Sequence, residues 1–272
     1  MSLTVNLTVD SADPGADPSS DPWAAPIRGL VLDVDDTLLD TRSAMSCAGV
    51  AAASAALPGH GAHVHEALAT GFYDDPSGHF DAYTRGELPF QRQRRLRYDT
   101  ALAALGIPSD DEQFTAYESA YREAFAGVQV LFGDVAVLID TAEAAGVSVC
   151  LLTNSGDEQT HLKLAAVGWT DRFPVITTDT IGVGKPDPRL FAAARDLIHV
   201  EPHATVCVGD TLAADVLGAR GAGMRAAWLC RPDSPAPRNS GWGTPIDDPG
   251  VRIVPDLRTV ASWISPSSSS DG

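Results

Sequence analysis

Short apolar runs alternate with helical patterns along the second half of the chain. The apolar runs cover residues 147–152, 175–178, 205–208 and 224–229. Helical patterns lie before or between them, over residues 135–145, 157–167, 187–198 and 213–221. Short apolar runs bounded by turn residues are typical of buried strands, and their alternation with helices indicates βαβ units. The pattern therefore predicts a parallel sheet covered by helices.

One more apolar run, residues 30–32, fits this sheet but lies far upstream of the others. The segment between, residues 42–128, shows no strand pattern, and helical stretches are predicted in it at 44–56, 89–105 and 110–126. Phe114, Tyr117, Tyr121 and Phe125 recur there at spacings of three and four, which places them in one stripe of a helix. We therefore predict an α/β core, residues 27–41 and 129–264, with an all-helical insert at 42–128.

Both ends of the chain have a composition that cannot bury much apolar surface. Residues 1–26 are rich in Ser, Asp, Pro and Ala and contain no Lys or Arg, and residues 265–272 are similar. Such segments gain too little from burial to offset the entropy lost on ordering. Both are predicted to be disordered tails, the first of them acidic.

The net charge of the chain argues against two classes of binding partner. The formal net charge is −17, and a strongly negative surface repels nucleic-acid backbones and anionic membranes. No apolar run reaches transmembrane length. The four cysteines show no CxxC spacing, and two lie in apolar runs, which favours reduced thiols in a cytoplasmic protein. The expected partner is a small molecule, and the chain is expected to be a monomer or a homodimer.

An acidic cluster follows the first apolar run. Asp33 and Asp35 alternate with Val34, so an extended backbone places the two carboxylates on one side. Carboxylates that converge at a strand end repel each other unless a proton or a cation separates them. A solvated acidic turn is the alternative interpretation.

Three further polar groups follow other predicted strands. They are Thr153 with Asn154, Lys185 before a helix start at Asp187, and Asp210 with Asp215. Each has a simpler interpretation as a turn residue, a surface lysine or a helix N-cap. Together they fall at the edge where open parallel sheets bind ligands, which favours one shared site.

These groups have the chemistry that phosphoryl transfer requires. Asp33 can attack phosphorus, and Asp35 can protonate the leaving oxygen and later deprotonate water. Asp33 and Asp210 offer the hard oxygen ligands that Mg²⁺ prefers. A hydroxyl group and an ammonium group, from Thr153 and Lys185, can hold the phosphoryl oxygens.

The motifs that carry these residues resemble those of the haloacid dehalogenase-like hydrolase superfamily. They are Asp33-x-Asp35-x-Thr37, Thr153-Asn154, Lys185-Pro186-Asp187-Pro188 and Gly209-Asp210…Asp215. The resemblance implies a Rossmann-like, doubly wound parallel sheet with an inserted helical cap of the C1 type. Three further patterns resemble those of the branch that holds N-acylneuraminate-9-phosphatase and pyrimidine nucleotidases. They are Gln159-x-x-x-Lys163-Leu164, Asp210-Thr211-Leu212-x-x-Asp215 and Trp228-Leu229-x-Arg231.

The resemblance also implies a role for each matching residue. Asp33 would be the nucleophile, Asp35 the acid/base, and Thr153, Asn154 and Lys185 the phosphate-binding residues. Mg²⁺ would be bound by Asp33, the Asp35 carbonyl and Asp210, with Asp215 orienting its surroundings. The expected activity is hydrolysis of a small phosphorylated metabolite, a nucleotide or a sugar phosphate, through an aspartyl-phosphate.

Three alternatives remain at the level of sequence. Family members that remove halide from 2-haloacids lack the second Asp of the first motif and need no Mg²⁺, so Asp35 and Asp210 favour a phosphatase. A sugar-phosphate mutase would share the core residues, but residues 40–43 offer no His partner. A phosphate-binding protein without activity is the third, although no catalytic group is lost here.

The insert carries a basic run whose role is open. It consists of Arg85, Arg92, Arg94, Arg95 and Arg97. These arginines are expected to form a solvated helix face or to pair with the surplus acids. The alternative is that they attract an anionic leaving group.

Overall fold

The predicted apolar runs form one parallel sheet of six strands in the computed structural model, which describes residues 21–233, 236 and 240–264. The strands are β1 Gly29–Leu32, β2 Ser148–Leu152, β3 Val175–Ile176, β4 Thr205–Gly209, β5 Arg225–Leu229 and β6 Val251–Val254. Their order across the sheet is β3-β2-β1-β4-β5-β6. The prediction of a doubly wound parallel sheet is confirmed.

Helices cover this sheet and fill the insert. Those between β1 and β2 are α1 Thr41–Ala56, α2 Ala62–Asp74, α3 His79–Thr84, α4 Phe90–Ala104, α5 Asp111–Gly127 and α6 Val135–Ala144. Those that follow β2 are α7 Asp157–Ala166, α8 Thr178–Ile181, α9 Pro188–Ile198, α10 Gly218–Gly221 and α11 Leu257–Ala261. A 3₁₀ turn spans Pro202–Ala204, and a π-helix spans Leu212–Leu217. No helix among the described residues is both long and apolar enough to cross a membrane.

The strands are apolar on both faces because helices cover both. In β1, Leu30 and Leu32 lie in one core cluster with side chains of α6 and α11. Val31 faces the opposite way and packs in a second cluster with Leu190 and Phe191 of α9. This double burial explains why the runs are continuously apolar rather than alternating.

The strand order places the ends of three strands around one crevice. β1 lies between β2 and β4, and Leu32 is level with Leu151 on one side and Val208 on the other. The chain therefore extends the sheet from β1 in one direction and later returns to extend it in the other. A ligand binds in the crevice that such a reversal leaves at the carboxyl ends of the strands.

The insert has its own core, built on the predicted aromatic stripe. Tyr117, Tyr121 and Phe125 of α5 are buried in it, which confirms the stripe. Opposite, α1 presents a row of alanines and packs closely against α2 and α5. A Cβ at Gly49 would lie 2.8 Å from the Ala69 Cβ, so only glycine permits this approach of α1 to α2.

Several elements differ from the prediction. β6, α2, α3, α8 and α11 were not predicted, and β3 ends early because Thr177 caps the N-terminus of α8. Residues 1–20 and 265–272, most of the predicted tails, lie outside the described residues. Within the described residues 21–26, Trp23 packs against the core: it donates its ring N–H to Pro249 O (3.0 Å) and meets the Trp263 ring edge-on.

A buried ion pair joins three separate parts of the α/β layer. Asp134 precedes α6 and accepts hydrogen bonds from Arg231, which follows β5 (2.7 and 3.1 Å), and from the Leu257 backbone N–H of α11 (2.8 Å). The Asp134 side chain is 3% exposed, and its partner is 12% exposed.

We expect Arg231→Met to lower the free energy of unfolding by about 3 kcal/mol, because Asp134 would stay buried without its cation. The matched control is Arg195→Met, since Arg195 pairs with the exposed Asp196 and such pairs contribute less than about 1 kcal/mol. Urea unfolding of both variants measures the difference. Equal losses would show that the buried pair contributes no more than an exposed one.

Candidate active site

Three buried carboxylates meet at the carboxyl ends of β1 and β4. Asp33 directly follows β1 and donates its backbone N–H to Val208 O of β4 (2.9 Å). Asp210 directly follows β4, and Asp215 lies in the π-helix. Side-chain oxygens of the three residues all lie within 4.8 Å of one another. The structure thus brings together the acidic residues that the motifs predicted to be near each other.

One lysine neutralises part of this acidic group. The Lys185 ammonium donates to Asp33 Oδ1 (2.6 Å), Asp215 Oδ1 (2.6 Å) and Leu152 O (2.9 Å). Burial opposes the charged form, but Asp215 and Asp33 raise the pKa of Lys185 above its ordinary value. Lys185 is therefore a buried cation with three acceptors, and it links the ends of β1 and β2 to the π-helix.

The loop that carries Lys185 is held in place by Asn154. The side-chain oxygen of Asn154 accepts the Lys185 backbone N–H (2.6 Å), and its amide nitrogen donates to Lys185 O (3.1 Å). Asp187 then caps α9 by accepting the Arg189 backbone N–H (3.0 Å), as its place before Pro188 predicted. In this structure Asn154 positions the lysine; its binding of phosphate stays a prediction.

A second lysine pairs with Asp35. Lys163 of α7 donates to both Asp35 oxygens (2.7 and 2.8 Å), and its side chain is 3% exposed. Hydroxyl groups of Thr41, Thr153 and Ser155 also donate to Asp35 (2.7, 3.1 and 3.1 Å). Burial alone would raise the pKa of Asp35, but Lys163 and the hydroxyl groups hold it below its ordinary value.

Asp33 and Asp210, at the strand ends, have pKa values that are raised rather than lowered. Burial raises the pKa of Asp33 to about 7, with Lys185 lowering it and the charge of Asp215 raising it further. Burial and the neighbouring Asp33 raise the pKa of Asp210 well above its ordinary value. One lysine is too little positive charge for this group, and a bound cation would favour the ionised form of both acids.

Both carboxylate oxygens of Asp215 accept hydrogen bonds from the protein. One of its oxygens accepts from Lys185, and the other accepts the Thr211 backbone N–H (2.9 Å). The Asp210 carbonyl is held by the ring N–H groups of Trp228 and Trp242 (3.0 and 3.2 Å). These contacts fit the prediction that Asp215 orients the site and leave Asp33 and Asp210 as the carboxylates better placed for a metal.

Sequence reasoning assigned no role in the site to Lys163, Ser155 or Thr41. Lys163 occurs in the pattern Gln159-x-x-x-Lys163-Leu164, but only its packing against Asp35 reveals its place in the site. Thr153 was predicted to bind phosphate, but it is fully buried, and its hydroxyl donates to Asp35 and accepts the Ser155 backbone N–H (3.1 Å). Its role toward phosphate stays a prediction.

A cavity of about 740 Å³ lies above these groups, between the core and the insert. Seven carboxylates and five cationic side chains line it. They are Asp33, Asp35, Asp36, Asp81, Asp187, Asp210 and Asp215, with Arg85, Arg94, Arg97, Lys163 and Lys185. With all of them ionised the lining is net negative, so an anionic ligand would need an accompanying cation.

The basic run of the insert is largely paired, as expected. Arg85 pairs with Glu87 (2.7 Å), Arg94 with Glu118 (2.8 Å) and Arg95 with Asp99 (2.8 Å). Arg94 and Arg97 are buried, however, and do not lie on a solvated helix face. Arg97 donates to the Phe72 carbonyl (2.9 and 2.5 Å).

Comparison with known sequences identifies relatives. The sequence model described as haloacid dehalogenase-like hydrolase matches residues 27–223. A phosphoserine phosphatase of Thermus thermophilus is 37% identical over 109 residues, 39% of this chain and 44% of the relative. A phosphoglycolate phosphatase of Xylella fastidiosa is 32% identical over 141 residues, 50% of this chain and 61% of the relative. The chain thus spans about half the length of these curated relatives.

A longer match is to haloacid dehalogenase-like hydrolase domain-containing protein 3 of Homo sapiens, which is 31% identical over 218 residues, 76% of this chain and 84% of the relative.

Solved structures share the fold. Magnesium-bound HAD-hydrolase YfnB of Bacillus subtilis has a TM-score of 0.67 at 20% identity, covering 88% of this chain and 99% of its own. An L-2-haloacid dehalogenase of Xanthobacter autotrophicus has a TM-score of 0.62 at 22% identity, covering 88% and 98%.

Without metal, the protein should lose stability as the pH rises from about 6 to about 8. A raised folded-state pKa stabilises the fold fully below the unfolded value of about 4, and this contribution is lost as the pH rises through the folded value. For Asp33 the folded value is about 7. Thermal unfolding at the two pH values measures the effect.

Asp33→Asn is the matched variant, because it keeps the shape of the side chain and removes its titration. Its melting temperature should depend less on pH than that of the wild type. Added Mg²⁺ should raise the wild-type melting temperature more at the higher pH, where binding displaces fewer protons. Parallel pH profiles for the two proteins would contradict this assignment.

Proposed function

The chain belongs to the haloacid dehalogenase-like hydrolase family, and on that premise we propose that it is a Mg²⁺-dependent phosphatase of small phosphomonoesters. The observation that carries the proposal is the buried arrangement of Asp33, Asp210 and Asp215 around Lys185, with Asp35 beside it. Relatives named as phosphatases support the same activity.

The residues present fit a divalent cation. Asp33 and Asp210 would bind it through carboxylate oxygens, and the backbone carbonyl of Asp35 would complete the protein ligands, since hard oxygen donors suit Mg²⁺. Bound there, Mg²⁺ would offset the charge on the phosphoryl oxygens. The raised pKa values of Asp33 and Asp210 support this fit, because their protons would give way to the cation.

The reaction begins with attack of an Asp33 carboxylate oxygen on phosphorus. The bond between phosphorus and the ester oxygen breaks, and the leaving oxygen takes a proton from Asp35. Asp35 then removes a proton from water, which attacks the same phosphorus and releases inorganic phosphate. The bond to Asp33 breaks in this step, and both aspartates return to their starting states.

Lys163 influences the protonation state of Asp35. Its ammonium and the hydroxyl groups around Asp35 favour the ionised carboxylate, which suits the removal of a proton from water. Donation to the leaving oxygen in the first step requires that Asp35 take up a proton and weaken its contact with Lys163. Asp35 and Lys163 both line the cavity that would hold the leaving group.

The alternatives fit the site less well. Displacement of halide from carbon needs only one carboxylate nucleophile, and a second one with its own lysine has no use there. The structural neighbours that are dehalogenases share only the fold at these identities. A mutase would need a gated acid/base partner, for which the sequence at residues 40–43 offers no histidine. A binding protein without activity would not need both aspartates.

Replacing Asp33 with Asn should abolish turnover while the fold is kept, because only the nucleophilic charge is removed. Release of phosphate from a generic aryl phosphate with Mg²⁺ is the assay, and a loss of more than about a thousandfold is expected. Asp196→Asn, at an exposed carboxylate, is the control and should retain wild-type activity. Turnover by a folded Asp33→Asn variant would remove Asp33 from its role.

Asp35→Asn should slow turnover for a different reason. The amide cannot exchange protons with the leaving oxygen or with water, so hydrolysis of the phosphorylated enzyme is impaired. With a good leaving group that needs no protonation, the phosphoenzyme should accumulate and be detectable by intact-protein mass spectrometry. Wild-type turnover by this variant would contradict the acid/base role.

A further inference from the structure

We propose that Trp242 positions Asp210, the proposed metal ligand, and thereby raises the affinity of the active site for a divalent cation; this inference rests on the proposed function above. Trp242 lies in the connection between β5 and β6, beyond residues 27–223, the part of the chain that the family model matches. It is a positioning residue, because it contacts the turn that bears Asp210 and not the reacting atoms.

Two indole N–H groups hold the backbone carbonyl of Asp210. Trp228 of β5 donates to it from within the core (3.0 Å), and Trp242 donates to it from the connection (3.2 Å). A carbonyl oxygen has two lone pairs, so it can accept from both donors at once. Trp228 is buried in the core cluster on this face of the sheet, and Trp242 is partly buried and packs against that cluster. The direction of the Asp210 carbonyl is therefore fixed from two sides.

The same peptide group is also held at its nitrogen. Thr211 donates its backbone N–H to Asp215 Oδ2 (2.9 Å), and Asp215 Oδ1 accepts from the Lys185 ammonium (2.6 Å). A peptide group is planar, so contacts that fix its oxygen and its nitrogen fix the orientation of the whole unit. The Cα atom of Asp210 belongs to this unit. The direction in which the Asp210 side chain leaves the backbone is therefore restricted as well.

The residues before Trp242 contact the same turn at a second point. The buried Ser240 accepts the Leu212 backbone N–H at its carbonyl (2.8 Å). Gly241 has a φ of +75°, and a Cβ there would lie 2.7 Å from the Leu212 Cβ. Glycine adopts this φ without strain and leaves room for the close approach. The connection is thus docked on the turn through Ser240, Gly241 and Trp242 together.

The Asp210 side chain has little else to hold it. Among the residues that the structure describes, its carboxylate accepts one long hydrogen bond, from the Thr211 hydroxyl group (3.4 Å). Asp33, in contrast, accepts from the Lys185 ammonium (2.6 Å). Contacts that orient a ligand from outside the coordination shell typically change metal affinity by about ten- to a hundredfold. The backbone contacts of Trp228 and Trp242 are therefore the ones that prepare Asp210 for an ion.

The test is Trp242→Phe, which keeps a ring at this position and removes the N–H donor. Mn²⁺ is the probe, because carboxylate and carbonyl oxygens suit it as they suit Mg²⁺, and the free ion is measured by electron paramagnetic resonance. The affinity for Mn²⁺ alone should fall by about three- to thirtyfold, since Trp228 still holds the carbonyl. The Mg²⁺ concentration for half-maximal phosphate release should rise by a similar factor, and kcat at saturating Mg²⁺ should fall by a smaller one.

Trp23→Phe is the matched control. The Trp23 ring also donates its N–H to a backbone carbonyl, that of Pro249 (3.0 Å), but it does not line the cavity of the site. Its variant should bind Mn²⁺ as the wild type does, whatever its melting temperature. Asp210→Asn should weaken Mn²⁺ binding more than Trp242→Phe does, which identifies the measured ion with this site.

Gly241→Ala tests the same contact without removing an indole group. The added Cβ would press on Leu212 and separate the connection from the turn. Mn²⁺ affinity should again fall, and the Mg²⁺ requirement for phosphate release should again rise. Melting temperatures check that both variants are folded.

The outcomes separate this inference from the proposed function. If the wild type binds no Mn²⁺, the proposed metal site fails and the inference fails with it. If the wild type binds Mn²⁺ and the Trp242→Phe variant binds it equally well, only the inference is overturned. Equal losses of affinity in the Trp242→Phe and Trp23→Phe variants would also overturn it, because the effect would then follow from stability and not from the position of Asp210.

Discussion

The structure depends on one buried ammonium group. Lys185 lies between Asp33 and Asp215 and also binds the carbonyl at the end of β2. Two carboxylates cannot be buried side by side without such a cation, since desolvation and mutual repulsion would neutralise or separate them. The interaction that joins the strand ends therefore also sets the charge around Asp33.

The apolar pattern predicted the middle of the sheet well, because strands buried on both faces leave a continuous apolar run. It missed β6, an edge strand on which Ile253 is 60% exposed and only Val254 is fully buried. It also missed α2, which begins after Gly61 without a side-chain cap. Edge exposure and a missing cap remove the two local signals that sequence reasoning uses.

The candidate site was predicted in part for a similar reason. Asp33, Lys185 and Asp210 follow strands that were recognised, so their convergence could be inferred from the topology. Lys163 could not be found in this way, because it lies within α7 and reaches Asp35 only through the packing of that helix. Asn154 was recognised by position, but its contact with the Lys185 backbone depends on a loop that the sequence does not specify.

In this account the core binds the phosphate, and the insert contacts the leaving group. The central claim concerns the core, where Asp33 becomes phosphorylated during turnover. Quenching the enzyme during turnover, reducing it with borohydride and sequencing its peptides by mass spectrometry tests this directly, because an acyl phosphate is reduced to the alcohol. The account predicts homoserine at position 33 only when substrate and Mg²⁺ are both present. Reduction at another residue, or at none while phosphate is released, would contradict it.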